Sequence, residues 1–131
     1  MPKSAEPDVV KVKRNVLDRA LAELDKIPDE DGLIKCPWDI STRPKIGDKP
    51  WADSHLQGFS IDHLVATQDY LRKDTVKYHL EILGKAVAGE NLNPNVVLHD
   101  GKQKIYDGHH RLMALKLMGA EQANCWVLEI D

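Results

Sequence analysis

A chain of 131 residues, 42% hydrophobic and 30% charged, has the makeup of one globular domain long enough to bury a working core. Its net charge of -3 argues against a general attraction to nucleic acid or anionic lipid. No apolar run approaches the roughly 18 residues of a membrane span, the opening MPKSAEPDVVKVKR lacks the apolar core of a secretion signal, and Cys36 and Cys125 form no spaced framework. A cytoplasmic protein with reduced thiols is expected.

The first predicted element is an amphipathic helix from Asp8 to Lys26. Val9, Val12, Val16, Leu17, Ala20, Leu21 and Leu24 recur at three- and four-residue steps, with Asp8 as N-cap and Pro28 closing it. Its apolar stripe must pack on the main domain or on a second copy. Residues 27 to 58 show no clear period and are broken by Pro28, Pro37, Pro44 and Pro50. Trp38 and Trp51 argue that this stretch is an arm covering a surface, or a lid or partner-binding segment. We therefore divide the chain into a helix and arm, residues 1–58, and a domain, residues 59–131.

The domain reads as a mixed α+β unit. FSIDHLV is expected as a short strand, and Lys73 to Ala88 as a helix with Asp74 or Thr75 as cap and Val76, Leu80, Leu83 and Val87 on one face. NVVLHDGKQKIYD forms two strands joined at Asp100-Gly101. A helix follows from about Gly108 to Met118, with Gly119 at its C-cap, and ANCWVLEI closes the unit as a strand. Cys125 lies in that strand and reads as packing.

Chemistry concentrates in Asp107-Gly108-His109-His110-Arg111, where a strand turns into a helix. A helix start exposes unpaired amides at the positive end of the helix dipole, so it attracts anions. Gly108 lets backbone approach a ligand, Arg111 offers a fork of donors suited to phosphate, and His109 and His110 add donors that can gain charge. Successive helical residues diverge by about 100°, so one histidine faces the site while the other packs or orients it. Asp107 is free to cap the helix, hold a histidine or bind a cation carried by a phosphate group. Polar capping alone is the alternative. His63, His79 and His99 are scattered, so no metal site is predicted.

IYDGHHRLMALKLMGA resembles the second box of the ParB/sulfiredoxin superfamily, a strand entering a Gly-x-x-Arg turn and then a helix. DHLVATQDYLRKDTVKYHL resembles the first box, and NPNVVLHDGKQKIYDGHHR supplies the spacing of compact members. The resemblance covers about Phe59 to Asp131. It implies a small sheet with packed helices in which Gly108, His109, His110 and Arg111 hold nucleotide phosphates. It also implies an opposite wall of Gln68, Asp69, Tyr70 and Arg72, with Arg72 as second cation. His109 stands where sulfiredoxins carry their cysteine, so sulfinic acid reduction is not expected. The chain ends at Asp131, on the last strand, where partition-type members continue into a helix-turn-helix, so centromere-type DNA binding is not expected either.

Three functions follow from these features. One is NTP hydrolysis or phosphoryl transfer, with Mg²⁺ carried in by ATP or CTP and with Asp107, His110 or Asp69 as acid–base groups (Asp62 being a further candidate base). The second is a ParB-like nuclease, although eight Lys or Arg against ten Asp or Glu from Ser60 onward supply no basic footprint for DNA. The third is a non-enzymatic interaction module of phage or plasmid origin that grips a protein partner, or a second copy, through the first helix and the arm.

Overall fold

The computed structural model describes residues 5–47, 51, 54–84 and 93–130, with side chains from residue 14 onward. The described elements are helices α1 (Ala5–Lys26), α2 (Lys73–Gly84) and α3 (His109–Leu117), with strands β1 (Leu33–Lys35), β2 (His55–Ser60), β3 (Tyr70–Arg72), β4 (Asn95–His99), β5 (Lys102–Asp107) and β6 (Gln122–Glu129). The expected α+β class holds.

The main sheet has the order β2-β6-β4-β5. Asp100 and Gly101 join β4 to β5 with φ of 55° and 71°. Two successive positive φ values match the primed hairpin turns, whose twist suits the flanking strands. From β5, α3 returns the chain to β6, which runs parallel to β4 and antiparallel to β2. Side-chain alternation then separates the sheet's two faces. Phe59, Val96, Ile105, Ala123, Cys125 and Val127 share one face and form a single core with Leu24 of α1, Val76 and Leu80 of α2, and Leu112 of α3. Burying a side chain of this size contributes about 1.5–3 kcal/mol. Val97, Lys104 and Leu128 share the opposite face and are also buried.

Several sequence expectations are corrected. Among the described residues the first helix runs from Ala5, so the backbone of Asp8 lies inside it rather than at an N-cap position. Leu17, Ala20, Leu21 and Leu24 pack on the domain core, while the side chains of Val9 and Val12 lie outside the described residues. The expected FSIDHLV strand is shifted back. β2 starts at His55, crossing the proposed boundary at residue 58, and Ile61–His63 form a 3₁₀ turn. For α2, Val87 and Ala88 fall outside the described residues.

The arm is more regular than its prolines suggest. Asp31 and Gly32, at φ 54° and 81°, make a tight turn into β1, which pairs antiparallel with β3. Two further extended stretches then lie beside β5: Val65 bridges Lys104, and Ile40 bridges Ala66, both in parallel. Trp38 is buried, its indole N–H donating to the Ile61 carbonyl at 2.8 Å. That contact explains the Lys35–Trp38 segment, for which the sequence offers no role beyond surface coverage. Buried Lys104 donates to the Thr42 carbonyl at 3.0 Å and contacts His99 Nδ1 at 3.1 Å. Arg43 donates to the Tyr106 carbonyl at 2.7 Å while its guanidinium lies 3.9 Å over the Tyr106 ring. Polar stitches of this kind hold the arm against the sheet.

Candidate functional site

The start of α3 is the meeting point of β5, the loop at residues 67–72 and the arm. Gly108 is the N-cap, with φ 101° and ψ 22°, a conformation that suits glycine. A Cβ at this position would lie 2.8 Å from Pro94 Cβ. The glycine is therefore required by packing against Pro94 as well as by its backbone angles. The first helical hydrogen bond runs from Leu112 N–H to the Gly108 carbonyl at 2.9 Å. The amides of His109, His110 and Arg111 precede it and lack intrahelical acceptors. No side-chain cap and no acidic residue occupies the first turn.

The two histidines share a task that the sequence did not show. His109 Nε2 accepts the Thr67 amide at 3.0 Å, and His110 Nε2 accepts the Arg72 amide at 2.9 Å. Together they pin both ends of the 67–72 loop to α3. Accepting through Nε2 requires neutral rings that carry their proton on Nδ1. The surroundings favour that state: burial, reinforced by the repulsion a charged His110 would add and by the Arg43 guanidinium, pushes His109 down from 6.5 to about 4, against the opposing pull of Asp107. Burial also lowers His110, helped by Arg72 and opposed by Asp74 and Asp107. His109 is 3% exposed. Its expected role as a charge-gaining phosphate donor gives way to an internal clamp, leaving only its backbone amide at the helix start. His110 cannot act as acid or base through Nε2 without releasing the Arg72 amide.

Arg111 stays close to the turn. Its Nη1 reaches the Asn93 carbonyl at 3.3 Å, and its Nε is buried without a hydrogen-bond partner among the described residues. Its charge adds to burial in lowering His79.

The expected opposite wall consists of main chain rather than side chains. Gln68 donates to the Tyr70 carbonyl in its own loop at 2.8 Å. The Asp69 carbonyl accepts the Cys36 amide at 3.0 Å, and its carboxylate acts electrostatically on Cys36, not on the α3 histidines. Tyr70 is 51% exposed and lines a cavity of about 380 Å³ with Ile27, Pro28, Glu30, Leu33 and Lys35. Arg72 turns to Asp74 at 3.4 Å and lines another cavity, of about 390 Å³, at the start of α2. Alternation in β3 explains both outcomes, since Leu71 takes the buried side and leaves Tyr70 and Arg72 outward. Asp62 pairs with Lys116 at 2.7 Å, which holds its carboxyl below the usual range. Of the three candidate acid–base groups, Asp107 alone stands directly before the turn and acts on both histidines.

Sequence reasoning missed Thr67, whose hydroxyl donates to the Ile105 carbonyl at 2.7 Å while its amide meets His109, and Arg43, whose charge reaches His109. Thr67 sits in the first-box segment and was open to notice; Arg43 lies 63 residues from its Tyr106 partner with no local pattern to connect them. Burial raises the thiols of Cys36 and Cys125 to about 11, so both are poor nucleophiles. No group of three or more His, Cys, Asp or Glu suited to a metal ion occurs among the described residues. No protein-family model, curated protein or solved structure matches the chain.

Proposed function

We propose that the start of α3 binds the phosphates of a nucleoside triphosphate, and that the protein hydrolyses or transfers the terminal phosphoryl group. The uncapped first turn carries this reading: three helix-start amides have neither a side-chain cap nor a first-turn acid, and they stand beside Arg111, which holds a buried donor without a partner among the described residues. Phosphate oxygens are acceptors of the kind both features lack, and they suit the positive end of a helix. The resemblance to ParB/sulfiredoxin proteins points the same way, as does the strand–turn–helix geometry around Gly108.

Within this reading the clamp formed by His109 and His110 positions the loop, and Arg111 is the cation on the phosphates. Asp107, directly before the turn, is the carboxylate we assign to meet a nucleotide-borne Mg²⁺ or to take a proton from an attacking water or hydroxyl. Mg²⁺ usually retains several waters and needs only one or two carboxylates beside the phosphates, which fits a single aspartate. Phosphoryl transfer depends mainly on positioning and charge neutralisation, both within the means of this turn.

Thermal melts with ATP, CTP or GTP plus Mg²⁺ test the proposal. A ligand at 100 times its Kd stabilises by about 2.7 kcal/mol, and Arg111→Ala should remove that gain. Indifference to every nucleotide would defeat the reading.

A further inference from the structure

The two edges of the main sheet are finished differently. The β5 edge continues into the Val65–Ala66 and Ile40 stretches. The β2 edge, among the described residues, is hydrogen-bonded to β6 alone, and His55, Leu56, Gln57 and Gly58 are all exposed.

The outward backbone groups can be identified. The Ile61 amide donates to the Glu121 carbonyl at 2.9 Å, in register with the β2–β6 ladder. Antiparallel strands alternate, so His55, Gln57 and Phe59 also turn their amides and carbonyls toward β6. Leu56, Gly58 and Ser60 therefore present theirs away from the sheet. Natural edges are usually guarded by charge, proline or a bulge. From Ser54 to Ile61 this one contains no Lys, Arg, Asp, Glu or Pro, and its pairing with β6 is in continuous register.

We infer that β2 pairs antiparallel with β2 of a second copy, about a two-fold axis through Gln57. This register makes Leu56 and Gly58 of opposite copies hydrogen-bonded pairs, four main-chain bonds in all. Leu56 is 48% exposed. It would lie across the vacant side-chain position of Gly58 in the other copy, beside its own cross-strand neighbour Trp126. The absence of charge along the strand lets two copies meet without like-charge repulsion. The contact is small, so a weak, concentration-dependent dimer is expected, below the roughly 1,200 Å² of standard interfaces. Nucleotide binding is not required for it.

Analytical ultracentrifugation of the full chain, over a concentration series, tests the pairing. The wild type should dimerise. Gln57→Lys and Gln57→Glu each place like charges face to face across the axis and should raise the dimer Kd at least tenfold. Gln57 is exposed, and circular dichroism checks that both variants stay folded. An equimolar mixture of the two should regain association as a heterodimer. A wild type that stays monomeric, a dimer indifferent to both substitutions, or a mixture that fails to associate would each overturn the inference.

Discussion

Two neighbouring helices, α2 and α3, both begin directly after short strands, yet their first turns differ. At α2, Asp74 supplies an anion to the positive helix end, and Arg72 is paired with it at 3.4 Å. At α3 the cap is glycine, the first turn has no acid, and the cation beside it retains a buried donor without a partner among the described residues. The same backbone electrostatics is met by a first-turn carboxylate at α2 and has none at α3. That difference, rather than the mere presence of a helix start, is what supports the phosphate site proposed at α3.

Breaking the turn itself should have the largest effect. Gly108→Ala forces a side chain into positive φ and against Pro94, so we expect a loss of about 4 kcal/mol, read from urea denaturation midpoints. Acid should come next. The folded protein keeps His109 neutral down to about pH 4, whereas an unfolded histidine takes a proton near 6.5. The contribution is complete above pH 6.5 and is lost as pH falls toward 4, amounting to about 3 kcal/mol over that interval. His109→Gln can still accept the Thr67 amide and should flatten this acid limb, apart from what His110 and His79 contribute in the same direction.

Smaller effects should differ in sign between the two helix starts. Arg111→Met removes a positive charge from a positive helix end and a buried Nε that lacks a partner among the described residues, against the loss of the long Nη1 contact to the Asn93 carbonyl, so stability should be unchanged or rise by up to about 1 kcal/mol. Asp74→Asn should do the reverse at α2, with a slight decrease in Tm that fades in high salt. Equal signs for the two substitutions would erase the contrast.

Much of the frame was legible because its signals are local. Asp100-Gly101 named its turn, Gly119 with φ 86° ended α3 as expected, and the periodicity of Val76, Leu80 and Leu83 located the inner face of α2. What stayed hidden depends on distance along the chain. β1 and β3 have three residues each and become strands only through one another. The Gly-His-His-Arg motif announced a site, but not that both imidazoles would be occupied by amides 38 and 42 residues away. No spacing rule connects Lys104 to Thr42 either, or Arg43 to Tyr106.

Backbone amide NMR of the full chain, titrated with MgATP and MgCTP, most directly tests whether α3 supplies the anion cradle. The account predicts the largest shifts at the amides of His109, His110 and Arg111, absent in Arg111→Ala. Spectra unmoved by either nucleotide, or shifts centred on Arg72 to Asp74 at the start of α2, would contradict it.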